Sequence, residues 1–181
     1  YNRAEFFDII GYGLDASRLY LTGMSNGSLM AEAYAATRPR AVKAVAGVAG
    51  TLDLSRFPVR GAVPLLHIHG TADDQVPFAG GKGTSGLTDT DFTPVEDVVA
   101  AFRRASGPGL AMSETVIDPA DDGMRTTATT WYRAGRPVVR LLAIEGGGHV
   151  WPGGRRAGRQ GGDTQDISAN AEILRFFAAH P

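Results

Sequence analysis

The sequence predicts an α/β domain built on a mostly parallel sheet with helices on both faces. Three observations predict it. Residues 41–48 and 64–69 are apolar runs without polar alternation, the pattern of strands covered on both sides. Stretches with helical apolar spacing alternate with such runs, at 26–38, 94–105 and 167–179. Finally, there is no repeat and no linker in 181 residues, a length that suits one domain, 1–181.

Taken in order, residues 2–11 read as a helix, with Asn2 as cap, Glu5 three residues on, and Phe6, Ile9 and Ile10 on one face. Residues 19–22 are a short strand of β-formers and bulky apolar residues. The helix over 26–38 carries Leu29, Met30, Ala33 and Tyr34 at helical spacing, and Pro39 stops it. Two buried strands follow, 41–48 and 64–69. Residues 71–93 form a long loop rich in glycine and acidic residues. A helix over 94–105 has Pro94 in its first turn and turns Val95, Val98, Val99 and Phe102 inward. A strand is expected at 113–118, then a hairpin of 125–133 and 138–144 across Ala134-Gly135-Arg136-Pro137. A second glycine-rich loop spans 146–162. The last helix, 167–179, packs Ile173, Leu174, Phe176 and Phe177.

Composition excludes several classes. Hydrophobic content is 43% and net charge is −1, which points away from disorder and from electrostatic binding of nucleic acid. No run of 18 apolar residues offers a membrane-spanning helix. Cysteine is absent, so disulfides, thiolate metal sites and cysteine nucleophiles are out of reach.

The chain is organised around Arg18-Leu19-Tyr20-Leu21-Thr22-Gly23-Met24-Ser25-Asn26-Gly27. A short strand runs into a glycine-flanked turn and then a helix. Gly-Met-Ser-Asn-Gly fits the nucleophile elbow, in which a serine sits on a sharp strand-to-helix turn with its hydroxyl exposed. The residues two before and two after are expected to be small, because the turn brings strand and helix together. The helix N-terminus offers free N–H groups, that of Asn26 among them, to a developing oxyanion.

An activated serine needs a base, and the base needs an orienting carboxylate. Of four histidines, His67 lies inside a buried strand and reads as packed, and His180 reads as solvated in the last turn. His69 ends a strand and reads as a loop-fixing hydrogen-bonder. His149 follows Gly146-Gly147-Gly148 at a strand's C-terminal end, where open α/β sheets place their sites, and is the expected base. Asp73 and Asp74 are adjacent, so both cannot face His149. Asp73 is the expected acid, and Asp74 a loop cap or solvated charge. The order Ser25, Asp73, His149 is that of an α/β-hydrolase triad.

These motifs together carry a more specific likeness. Gly23-Met24-Ser25-Asn26-Gly27, His69-Gly70-Thr71-Ala72-Asp73 with Val76-Pro77, and Gly147-Gly148-His149-Val150-Trp151-Pro152-Gly153 resemble the polyhydroxybutyrate depolymerase-like esterases. That family also includes feruloyl-esterase-like and LpqC-type secreted or periplasmic members. The resemblance implies an α/β-hydrolase fold, with Ser25 as nucleophile, Asp73 as orienting acid and His149 as base. It also implies substrate contacts at Met24 and Trp151, although Trp151 equally reads as a loop anchor in the core. Strands that precede the elbow in that family, and a His-Gly loop giving a second oxyanion N–H, are not in this sequence. The chain therefore reads as an N-terminally truncated, C-terminal portion of such a domain.

The expected activity is serine carboxylic-ester hydrolysis through an acyl-enzyme. Its expected substrates are polyhydroxyalkanoate-type or feruloyl or acetyl polysaccharide esters, in a secreted or periplasmic setting. No metal or organic cofactor and no nucleic-acid or membrane partner is expected. The alternatives are a peptidase or lactone hydrolase of the same fold, or a non-catalytic fragment.

Overall fold

The computed structural model of the chain describes residues 15, 17–85, 90–154 and 163–181. The helix expected at 2–11, and most of residues 153–163, lie outside the described residues. Six strands form one mixed sheet: β1 (Tyr20–Met24), β2 (Ala44–Val48), β3 (Leu65–Gly70), β6 (Ala111–Ile117), β7 (Arg125–Arg133) and β8 (Arg136–Glu145). Their spatial order is β1-β2-β3-β8-β7-β6. The pairings β1–β2, β2–β3 and β3–β8 are parallel, whereas β8–β7 and β7–β6 are antiparallel. A ribbon of β4 (Gly81–Lys82) and β5 (Asp91–Phe92) sits within the long loop after β3.

This topology decides where chemistry can be placed. β1, β2, β3 and β8 all point the same way, so their C-terminal ends share one edge of the sheet. The turns after β1, β3 and β8 hold Ser25, Asp73 and His149. β2 and β3 are buried along their whole length; β2 is unbroken apolar sequence, and β3 carries His67 and His69 among apolar residues.

Among the described residues, three α-helices cover the sheet: α1 (Asn26–Thr37), α2 (Val95–Ala105) and α3 (Ala169–Ala178). α1 and α2 pack with Val45, Leu65 and Val139 on one side. α3 packs Ile173 and Phe176 with Ala46, Leu66 and Leu142 on the other. α2 buries Val95, Val98, Val99 and Phe102, an amphipathic stripe at regular spacing. Ser168 caps α3, its hydroxyl accepting from Ala171 N–H.

Two helices face differently from expectation. α1 buries Ser28, Ala31, Glu32, Ala35 and Ala36, while Met30 is 73% exposed. The reason is distance to the sheet. A Cβ on Gly47 of β2 would sit 2.3 Å from Ser28 Oγ and 2.1 Å from Glu32 Oε1, so the face against the sheet must be small or reach along it. Bulky Met30 goes outward instead. In α3, Leu174 is also exposed, one position off the Ile173–Phe176 stripe.

The C-terminus corrects a third expectation. His180 is buried rather than solvated. Its Nδ1 lies 2.8 Å from the Phe176 carbonyl and its Nε2 lies 2.7 Å from the Pro137 carbonyl. The His180 carbonyl in turn accepts from Tyr20 Oη at 2.7 Å. The last turn is thus tied to β8 and to the elbow strand.

Candidate active site

The elbow is strained where the sequence places the serine. Ser25 has φ 55° and ψ −123°, a region that costs a non-glycine residue about 1–3 kcal/mol. Its N–H donates to the Val48 carbonyl at 2.9 Å, and its carbonyl accepts from Leu29 N–H at 3.1 Å, so both neighbouring elements hold it. α1 begins at Asn26 without a side-chain cap and without an acidic residue in its first turn. Its first N–H groups are therefore outside the intrahelical ladder. Of the two flanking glycines, Gly23 is required: a Cβ there would lie 2.4 Å from the Gly27 carbonyl carbon. A Cβ on Gly27 would meet nothing within 4 Å, so only one of the two positions must be small.

Asp73 and His149 are brought together. Asp73 Oδ2 accepts from His149 Nδ1 at 2.8 Å. Asp73 Oδ1 accepts from the backbone N–H groups of Gln75 and Val76, both at 2.9 Å. Burial pushes the Asp73 carboxyl up. The hydrogen bonds from His149, His69 and Val76 outweigh burial and hold it well below the usual carboxylate range. Asp73 is therefore ionised, and His149 donates to it from Nδ1. The His149 side chain remains 10% exposed.

The two loops are joined through backbone. Thr71 N–H donates to the Ile144 carbonyl at 2.8 Å, and Ala72 N–H to the Gly147 carbonyl at 2.9 Å. Thr71 Oγ1 accepts from Gly146 N–H at 3.0 Å. A Cβ on Gly70 would overlap the Gly147 carbonyl at 2.2 Å, so glycine is needed where they cross.

Ser25 does not complete the line. Its hydroxyl makes no hydrogen bond to a described residue, so the serine–histidine link is open, whereas the sequence reading expects one continuous chain. Such contacts are commonly long in unliganded sites and tighten with substrate. Asn26 is exposed at the head of α1. Met24 is half-buried and packs on the α3-side core. Trp151 packs against that same core and donates from Nε1 to Asn170 Oδ1 at 3.1 Å, which ties its loop to the start of α3. Asp74 is exposed, and its backbone carbonyl accepts from Thr84 and Ser85.

Beneath the Asp73–His149 pair lies a line of polar groups that sequence reasoning only half found. His67 and His69 are buried, but Glu32, in the middle of an alanine-rich helix, is their partner and was not anticipated. Its one sequence signal is a lone carboxylate amid Ala31, Ala33, Ala35 and Ala36. Two surface clefts of about 430 Å³ lie elsewhere, around Arg103 and Trp131, and none of the candidate residues lines them. Among the described residues, no group of three or more His, Asp or Glu side chains is arranged to hold a metal ion.

No family model matches the chain. It is similar to "Putative esterase NocK" of Nocardia uniformis subsp. tsuyamanensis, with 33% identity over 154 residues. That match takes in 78% of this chain and spans 44% of the relative's length. The chain thus spans less than half the length of that relative.

Proposed function

We propose that the chain carries the catalytic machinery of a serine carboxylic-ester hydrolase of α/β-hydrolase type. The observation that carries this reading is the Asp73–His149 hydrogen bond, at the sheet edge where the strained Ser25 turn also ends. In the reaction, His149 Nε2 takes the Ser25 proton as the hydroxyl attacks the ester carbonyl. Ionised Asp73 stabilises the imidazolium so formed. The Asn26 N–H donates to the oxyanion. His149 then protonates the departing alcohol, and water, deprotonated by the same nitrogen, releases the acid and restores Ser25.

For substrate we propose polyhydroxyalkanoate-type or feruloyl or acetyl polysaccharide esters, met in a secreted or periplasmic setting. The support is the Gly-Gly-His-x-Trp-Pro-Gly loop, which places Trp151 two residues from the base. The test is pre-steady-state hydrolysis of a chromogenic short-chain ester by the protein and by Ser25→Ala. The expected result is a burst of one equivalent of the chromogenic alcohol per chain in the first, and turnover reduced by about 10⁴–10⁶ in the second. A variant retaining a tenth of the activity would move the nucleophile elsewhere.

A further inference from the structure

Four buried ionisable side chains stand in line behind His149, and their proton count is constrained. Glu32 and His67 are wholly buried, His69 is 1% exposed and Asp73 is 4% exposed. His67 Nδ1 lies 2.8 Å from Glu32 Oε1, and His67 Nε2 lies 3.1 Å from His69 Nδ1. His69 Nε2 lies 2.8 Å from the Val76 carbonyl and 3.3 Å from Asp73 Oδ2. Ser28 Oγ, three residues after the elbow serine, donates to Glu32 Oε1 at 3.3 Å. The line thus runs from the elbow helix, through the middle of β3, to the acid that holds the base.

Each of the three links needs one proton. The last link ends on a carbonyl and a carboxylate, neither of which donates, so His69 Nε2 must be the donor. The middle link needs a proton on one of two facing ring nitrogens, and the first needs one between Glu32 and His67. Two neutral imidazoles and a carboxylate supply only two protons. The third sits on Glu32 or on one of the rings, and in every such arrangement His69 Nε2 keeps its N–H. The extra proton also makes the Glu32–His67–His69 group electrically neutral, which suits its burial. Glu32 Oε2 accepts no hydrogen bond from a described residue, a further sign that this carboxyl does not stand alone as a full buried charge.

We propose that Glu32, His67 and His69 are positioning residues that share one extra proton, which completes all three links and locks His69 in the tautomer whose Nε2 donates to the Val76 carbonyl while facing Asp73 Oδ2 at 3.3 Å, and so holds Oδ2 toward His149. The ionisable groups facing this line are Glu32 from α1, and Asp73 and His149 from the two loops. β2 places Gly47, which carries no ionisable group, against Glu32 and Ser28. The inference rests on the serine hydrolase reading for its catalytic consequence, while the proton arrangement can be observed without substrate.

The experiment uses protein carrying ¹⁵N-histidine and reads ring tautomers by two-bond ¹H–¹⁵N NMR, beside the pH profile of ester hydrolysis. The expected wild-type spectrum has His69 protonated at Nε2 throughout the pH range of activity. In Glu32→Gln the side-chain amide can donate to His67 Nδ1, so no extra proton is needed; tautomers and activity should stay within about threefold of wild type. Glu32→Leu leaves His67 Nδ1 unpaired and should lower kcat about tenfold with KM little changed, and displace the pH profile. His69→Phe removes the N–H that faces Asp73 and should have at least the same effect. A wild-type His69 lacking its Nε2 proton overturns the proposal, as does Glu32→Gln failing to restore what Glu32→Leu loses. The expected tautomers in a protein without esterase activity would support the proton arrangement and overturn the hydrolase reading instead.

Discussion

A Cβ on Gly23 would lie 2.4 Å from the carbonyl carbon of Gly27 and 2.5 Å from its oxygen, whereas a Cβ on Gly27 would meet nothing. The two glycines of the elbow are therefore not equivalent. Gly23 sits in β1 and lets α1 start immediately above it. Gly27 is an exposed residue in the first turn of that helix.

This gives a stability prediction. Gly23→Ala must push strand from helix and should destabilise the protein by about 1–3 kcal/mol or more. Gly27→Ala replaces a glycine in a helix with open space around it, and should be neutral or stabilise by up to about 1 kcal/mol. Urea denaturation of both variants checks the pair; equal losses would mean that the elbow is not built as described.

The adjacent aspartates should separate in activity. Asp73→Asn would present an amide to His149 and favour the wrong imidazole tautomer, a change that costs about 10⁴ in turnover in comparable triads. Asp74 is exposed, and Asp74→Asn should fall within a few-fold of the parent. Steady-state kinetics on a short-chain ester decides. Comparable losses at the two positions would detach the acid role from Asp73.

Asp73 should also show in the pH dependence of stability. Its folded carboxyl holds its proton more weakly than the unfolded one, whose usual value is 3.8. Its contribution is thus fully present above that value and is lost as pH falls below it toward the folded value. The urea midpoint of the parent should fall more steeply below pH 3.8 than that of Asp73→Asn. Parallel curves would contradict the hydrogen-bond pattern around the carboxylate.

His180 makes the last turn part of the fold. With both ring nitrogens against carbonyl oxygens, His180→Leu removes the imidazole's contacts to the Phe176 and Pro137 carbonyls and its tie to β8. A loss of about 1–3 kcal/mol is expected. Hydrogen exchange should show α3 protection weakened ahead of β2 and β3. An unchanged denaturation midpoint would return His180 to the solvated role its sequence position suggests.

Local pattern made much of this readable. The central strand β2 is a continuous apolar run and β3 nearly so, and the stripe of α2 repeats at helical spacing, so these are written in consecutive residues. The elbow carries its own glycines, and His149 its triple glycine. What was not readable depends on partners far apart in the chain. Glu32 meets His67 across 35 positions, and no local rule marks an alanine-rich helix as having its one carboxylate inward. Met30 looked like a core residue because apolar spacing assumes room for it, and the closeness of α1 to Gly47 removes that room. The β4–β5 ribbon has two residues per strand, too short for any periodicity.

The crossing of Gly70 and Gly147 has a consequence for how such a site can diversify. Acid and base are spaced by a backbone seam, Thr71 to Ile144 and Ala72 to Gly147, rather than by the side chains around them. Thermal opening of one loop must carry the other, so the pair is lost or kept as a unit. The residues beyond the seam are released from that duty. They can change in length and sequence to suit a new ligand while the spacing between Asp73 and His149 is inherited unchanged.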